Sequence, residues 1–228
     1  MTSKHTREVP VLTIDGPSGA GKGAVAANVA RRLGWKALDS GAVYRAVAAS
    51  ALDQNVSAED VDVLVALCDD LPLSFEAGDD GIRVFLDGQP VDGRLRQEEV
   101  SSMSSRIASQ SAVRAALMDL QRSFRQPPGL VADGRDMGTV VFPDAQIKVF
   151  LDASVEERAN RRYKQLKEKG KDVNFLRLFR DLEARDRRDR ERSVSPTVPA
   201  ADAEVIDSTA MTLEAVIDRV LSIARERV

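Results

Sequence analysis

Val9-Pro10-Val11-Leu12-Thr13-Ile14-Asp15-Gly16-Pro17-Ser18-Gly19-Ala20-Gly21-Lys22-Gly23 is the stretch on which the fold turns. Val9 to Ile14 is a short apolar, β-branched run ended by Asp15-Gly16-Pro17, and it reads as a buried parallel strand. Gly16 to Lys22 matches the spacing G-x-x-x-x-G-K, in which glycines let backbone N–H groups turn inward around phosphate oxygens. Lys22 to Leu33 follows with Val25, Ala26, Val29, Ala30 and Leu33 at helical spacing and Gly34 as the stop. That helix aims its positive N-terminus at the same anion, and Lys22 can reach the transferring phosphates. Strand, glycine loop, lysine and helix agree on a binder of nucleotide phosphates, where a merely structural glycine turn would need no lysine. One position departs from the pattern: Gly23 replaces the usual serine or threonine after the lysine, and Ala24 follows, so direct hydroxyl ligation of Mg²⁺ is not expected from this loop.

Working outward, helical patterns recur at Ala42–Leu52, Ala58–Leu71, Gln97–Ile107 and Ala112–Phe124, while Leu130–Ala132 and Ile147–Leu151 read as buried strands. Strands alternating with helices predict an α/β fold, a parallel sheet covered on both faces. Between Leu73 and Val91 the texture changes to strand and turn signals, which predicts a small β insert. Two basic helices separated near Gly170, a last strand at Glu204-Val205-Ile206 and a closing helix over Leu213–Ala224 complete the reading.

The 228 residues suit one domain with small inserts, and 43% hydrophobic with 30% charged residues predicts a soluble protein with a sizeable core. No apolar run approaches a membrane span, and Met1 to Glu8 is polar, without the apolar stretch of a signal peptide. The single Cys68 supports neither an internal disulfide nor a multi-cysteine zinc site and reads as a core residue. The only histidine, His5, lies in the tail, so histidine triads and histidine zinc sites are excluded. A net charge of −3 argues against general nucleic-acid binding, yet Arg158 to Arg192 holds 14 Lys/Arg against 7 Asp/Glu. Considered alone, that run is a solvated helix face laced with ion pairs or a surface built to meet anions.

Further residues narrow the choice. Leu38-Asp39-Ser40-Gly41-Ala42-Val43-Tyr44-Arg45 ends in an arginine on a new helix, placed to face an acceptor across the loop. Asp133-Gly134-Arg135-Asp136-Met137-Gly138-Thr139 follows a strand and puts three charged groups at a carboxyl end, where ligands of open α/β sheets bind. Arg185, Asp189 and Arg192 share one helix face at i, i+4 and i+7, with Arg188 beside them, and could equally form an intrahelical ion-pair ladder.

With these strings in view, together with RDRRDRERSVSP and VPAADAEVIDST, the sequence resembles the bacterial cytidylate kinases across nearly its whole length. The resemblance implies a P-loop nucleoside-monophosphate kinase fold. It would be a single domain over residues 9–228, with a core at 9–72, 112–153 and 193–228, an acceptor-binding insert at 73–111 and a helical lid with basic helices at 154–192, after a flexible tail at 1–8. It implies donor contacts from Gly16, Pro17, Ser18, Gly19, Ala20, Gly21, Lys22, Gly23 and Ala24, and from the lid arginines Arg161 and Arg162. Ser40, Ser105, Arg114 and Asp136, with Arg192 beside them, would contact cytosine, and Arg45 and Arg135 would hold the acceptor phosphate. Arg185 and Asp189 would approach the sugar and phosphates, and with Lys22 and Arg135 they form the expected catalytic set. The family's usual threonine in GKGT is Ala24 here.

The implied activity is transfer of the γ-phosphoryl group of ATP to CMP or dCMP, with Mg²⁺ bridging the β- and γ-phosphates of ATP and held by the protein largely through waters, Asp133 being a candidate outer-sphere partner. Such chemistry asks for alignment and positive charge rather than a nucleophilic side chain, so the lack of a usable histidine is no obstacle. The implied setting is a cytoplasmic monomer acting on small molecules. Other readings stay open at this point: UMP or AMP as the main acceptor, a kinase of a small hydroxy compound, and a non-catalytic nucleotide-binding regulator.

Overall fold

Strand β1 (Val11–Asp15) has all five residues buried in the computed structural model, which describes residues 9–69, 71–168 and 170–227. Burial on both faces belongs to the interior of a parallel sheet, and β1 is the middle strand of five. Its neighbours are β6 (Leu130–Asp133) and β7 (Ile147–Asp152), with β2 (Lys36–Asp39) and β8 (Glu204–Asp207) at the edges, all paired in parallel. The order β2-β6-β1-β7-β8 sends the connections after β1 and β6 in opposite directions, so the carboxyl ends of these two strands form a topological switch point.

The two faces follow from alternation along β1. Leu12 and Ile14 point to one side, where they pack with Val25, Ala26 and Val29 of α1 (Lys22–Leu33) and Val216, Ile217 and Val220 of α10 (Leu213–Arg227). Val11 faces the other side, where α2 (Ser40–Asp53) and α5 (Glu98–Ile107) supply Val43, Ala46, Val47, Val100 and Ile107.

Several boundaries differ from the sequence reading, each for a local reason. The expected helix 58–71 shrinks to α3 (Val61–Ala66), because Asp60 accepts a hydrogen bond from the Ser57 backbone and closes a turn ahead of it. The expected helix 112–124 is divided at Leu117 into α6 (Ser111–Ala116) and α7 (Met118–Ser123), which apolar periodicity alone does not reveal. Strand β2 was not read as a strand, since its four residues carry only Ala37 and Leu38 as apolar signal. The tail at residues 1–8, with His5, lies outside the described residues.

The β insert is a three-stranded antiparallel sheet, β3 (Leu73–Gly78), β4 (Gly81–Leu86) and β5 (Gln89–Pro90). It is fastened to α1: Ile82, Phe75 and Ala77 join the apolar cluster of that helix, and Arg31 pairs with Asp79 in the hairpin turn. A short helix, α4 (Asp92–Leu95), leads on to α5. The basic segment forms α8 (Val155–Glu168) and α9 (Phe175–Glu191), separated around Gly170, whose φ of +70° suits glycine. Arg177 of α9 reaches Glu98 of α5 at 3.0 Å, so the basic arm touches the insert side of the cleft. Among the described residues no helix is long and apolar enough to cross a membrane.

Candidate active site

The loop after β1 begins at Gly16, where φ is +144° and a Cβ would lie 2.1 Å from the Leu151 carbonyl oxygen, so no side chain fits. At the first turn of α1, Lys22 is 5% exposed and donates to the Pro17 carbonyl at 3.0 Å. Its Nζ also stands 3.8 Å from Asp133 at the end of β6. Burial, helped by the neighbouring Arg135, pulls the Lys22 ammonium down to about 8. Burial likewise pushes the Asp133 carboxyl up to about 6, against the attraction of Lys22.

The other side of the site grows from β6. Gly134 donates to the Ile14 carbonyl, and the chain then passes Arg135 and Asp136 into a single π-helical turn, Met137–Val141. Asp15, at the end of β1, fixes that turn: its two carboxylate oxygens accept from the backbone N–H groups of Met137 at 2.7 Å and Gly138 at 2.8 Å. Gly138 is required there, because a Cβ would sit 2.8 Å from Thr13 Oγ1. Burial pushes the Asp15 carboxyl up to about 7 in spite of those two bonds.

Cations converge over these loops. Arg135 Nε donates to Asp189 at 3.3 Å, and Arg185 approaches the same carboxylate oxygen at 3.9 Å. Arg45 donates to Asp39 at 2.7 Å, and Asp39 also caps α2 by accepting from the Ala42 backbone. Burial, then the charge of Arg135, lowers Arg185 to about 10. Among the described residues, Arg45 Nε, Arg185 Nε and Arg192 Nη2 are shielded from solvent without a hydrogen-bond partner. Shielded guanidinium nitrogens left without a partner are the electrostatic complement of a multiply charged anion.

A more neutral pocket adjoins them. Arg114 and Asp136 are 5% and 3% exposed and pair directly, with the guanidinium 5.6 Å from the centre of the Tyr44 ring. Ser40 Oγ donates to Gln121 at 2.7 Å, and Ser105 is half-buried on α5 beside the buried Ser104. Arg192, just past α9, donates to the Ser195 carbonyl and is depressed by burial and by Arg114. On α8, Arg161 donates to the carbonyls of Ala20 and Ser208, whereas Arg162 reaches Gln165 and is depressed by burial and by Arg96.

Lys22, Arg45, Arg135, Arg185 and Asp189 are thus brought to one place, and Arg114, Asp136 and Ser40 to its rim. Sequence reasoning missed Asp15, Asp39, Tyr44, Gln121 and Arg158. Asp15 and Asp39 each stand at the carboxyl end of a strand of the sheet, a signal that could have singled them out. Gln121 and Arg158 carry no local signal, since their partners lie 81 and 28 residues away.

A parallel sheet with a phosphate loop at its middle strand and a cluster of cations over the switch point defines a P-loop kinase. The chain belongs to the cytidylate kinase family, whose model matches residues 12–226. It is 57% identical over 217 residues to the cytidylate kinase of Methylococcus capsulatus, covering 95% of this chain and 97% of that one. It is 53% identical over 222 residues to the cytidylate kinase of Klebsiella pneumoniae and 52% over 222 residues to that of Escherichia coli O1:K1, in both cases covering 97% of this chain and 98% of the relative.

Proposed function

We propose that the protein transfers the γ-phosphoryl group of ATP to CMP or dCMP, giving ADP and CDP or dCDP. The observation that carries this reading is the buried Arg114–Asp136 couple beside shielded cations. The couple offers an acceptor and a donor side by side, which suits the N4 amino group and the N3 acceptor of cytosine. Uracil presents the reverse pattern, an N3–H donor and an O4 acceptor, and would set like against like in a buried site.

In this reading Gly16 to Ala24 cradle the donor phosphates, with Lys22 against the transferring group and Arg161 and Arg162 on the lid side. Arg45 and Arg135 hold the acceptor phosphate, and Arg185 and Asp189 stand between the two substrates. An acceptor phosphate oxygen bonds to the γ-phosphorus while the bond to the β–γ bridging oxygen breaks, and ADP departs with that electron pair. Lys22, Arg135 and Arg185 face the charge that spreads over the transferring oxygens, and no side chain has to form a covalent bond. The residues fit an Mg²⁺ held mainly through waters: Gly23 and Ala24 offer no hydroxyl, and Asp133 is a buried carboxylate directed at Lys22. Such an ion supplies charge neutralisation on the phosphates when bound. Among the described residues no cluster of three carboxylate, histidine or cysteine side chains could cage a metal. A cytoplasmic monomer acting on small molecules is the setting this reading implies.

A coupled assay of ADP formation with CMP, dCMP, UMP, AMP and shikimate tests it. The expected outcome is an efficiency for CMP at least about a hundredfold above that for UMP, and an Asp136→Ala variant that loses CMP efficiency much more than UMP efficiency. Equal use of CMP and UMP, or an equal fall for both in the variant, overturns the assignment of the base-reading pocket.

A further inference from the structure

We propose that Arg158 is a positioning residue that, through Asp186, couples the donor loop to the acceptor arginines. Arg158 lies on the first turn of α8 and is 1% exposed, so its head does not reach substrate. Three of its donors go to three separate parts of the fold. Nε donates to the carbonyl of Ala153 just beyond β7 at 2.9 Å, Nη1 to the carbonyl of Ser18 in the phosphate loop at 2.8 Å, and Nη2 to Asp186 on α9. The stem carries the loop as well, since a Cβ on Gly19 would lie 3.2 Å from Arg158 Cβ.

Asp186 is the neighbour of Arg185 and stands one turn before Asp189, which in turn receives Arg135. From the Ser18 carbonyl to the acceptor-side Arg135 there are therefore three hydrogen bonds and one turn of helix. Asp186 Oδ1 is shielded without a hydrogen-bond partner among the described residues. The carboxylate holds α9 through its other oxygen alone, a directional tie that fixes how the helix approaches the loop. Apolar side chains of similar volume could supply contact at this place, but no such direction. Phosphates filling the loop draw its N–H groups inward, which polarises the outward Ser18 carbonyl that Arg158 grips. The donor's presence is thereby felt at Arg185 and Asp189.

The inference rests on the reading that the loop takes the donor and α9 serves the acceptor. Its test compares wild type with Arg158→Lys and Asp186→Asn, measuring affinity for CMP alone, for a non-hydrolysable ATP analogue alone, and for each in the presence of the other. Wild type is expected to bind CMP at least about fivefold more tightly with the analogue present, and the analogue to gain by the same factor from CMP. In each folded variant the single-ligand affinities stay within about threefold of wild type, the mutual enhancement falls below about twofold, and kcat drops by at least about tenfold. Variants that keep both the enhancement and kcat, whatever their melting temperature, overturn the proposal, and so does a wild type that turns over CMP without any enhancement. A wild type that does not turn over CMP would instead overturn the proposed function. If the variants fail to fold, amide exchange of wild type decides: the analogue alone must slow exchange over residues 185–189, and unchanged exchange there refutes the coupling.

Discussion

A lysine enclosed by protein and placed near two guanidinium groups is an uncomfortable cation until an anion arrives, and Lys22 is in that position. Its ammonium is pulled down to about 8 from the ordinary 10.5 by burial and by Arg135. Between those two values the unfolded chain holds the proton and the ligand-free fold does not, so this group's contribution to stability rises with pH across that window. Phosphates beside Lys22 favour the charged form and reverse the balance. Binding of an ATP analogue near pH 8.5 is therefore expected to take up protons, with affinity falling as pH rises past 8. Calorimetry in two buffers of different ionisation enthalpy measures the uptake, and Lys22→Ala should abolish it. The same variant should fold and lose at least about a hundredfold in kcat, the cost of removing a preorganised charge of about 3 kcal/mol. Near-normal turnover, or no proton uptake by wild type, would remove Lys22 from the phosphates. This residue was legible in the sequence because the loop spacing fixes its place. Asp15 was not, since its role depends on a turn more than a hundred positions later.

At the scale of elements, α8 is fixed at its base and freer toward its tip. Arg158 and Arg161 bind it to the loop carbonyls, while Arg162, one turn beyond Arg158, is held only to Gln165 of its own helix among the hydrogen bonds described. The tie between Arg177 and Glu98 joins two side chains that are 71% and 82% exposed, and exposed pairs contribute at most about 1 kcal/mol. The arm should therefore open and close readily. Residues 154–173 are expected to be protected from amide exchange most strongly when ATP analogue and CMP are both present, because the basic side chains gain partners as the phosphates converge. Equal protection with and without nucleotides would exclude the arm from the mechanism. The two basic helices and their break at Gly170 were readable from periodicity and one glycine. The short strand β2 and the split between α6 and α7 were not, because two apolar residues cannot declare a strand and a break at the single residue Leu117, itself in the right-handed α region, leaves no mark on the hydrophobic pattern.

The described residues form a five-stranded parallel sheet with an apolar layer on each face and a smaller three-stranded sheet beside it. Ligands that bridge those parts should stabilise the fold as a unit. At a hundred times its dissociation constant a ligand adds about 2.7 kcal/mol, which for a chain of this size corresponds to roughly 5–11 °C in melting temperature. CMP with an ATP analogue should raise the melting temperature beyond what either gives alone, and a shift no larger than that of the better single ligand would show that the two cannot be bound at the same time. The sequence declared the alternation of strands and helices and the phosphate loop. It did not declare that the β insert leans on α1, a contact that ties the hairpin at Asp79 to the last turn of that helix rather than leaving it as a free flap.

The glycine-rich loop and the Arg135 loop leave neighbouring strands at the same level, with Ile14 opposite Asp133 in the β1–β6 register. Strands in a sheet lie about 4.8 Å apart, a spacing set by the peptide hydrogen bond and common to all sequences. The sheet thus serves as a ruler: the separation at which the two loops start belongs to the backbone and lies beyond the reach of point substitution. Redesign for a bulkier acceptor would have to begin at the opposite wall, with the side chains of α2, α5 and α6, and could leave the ruler untouched.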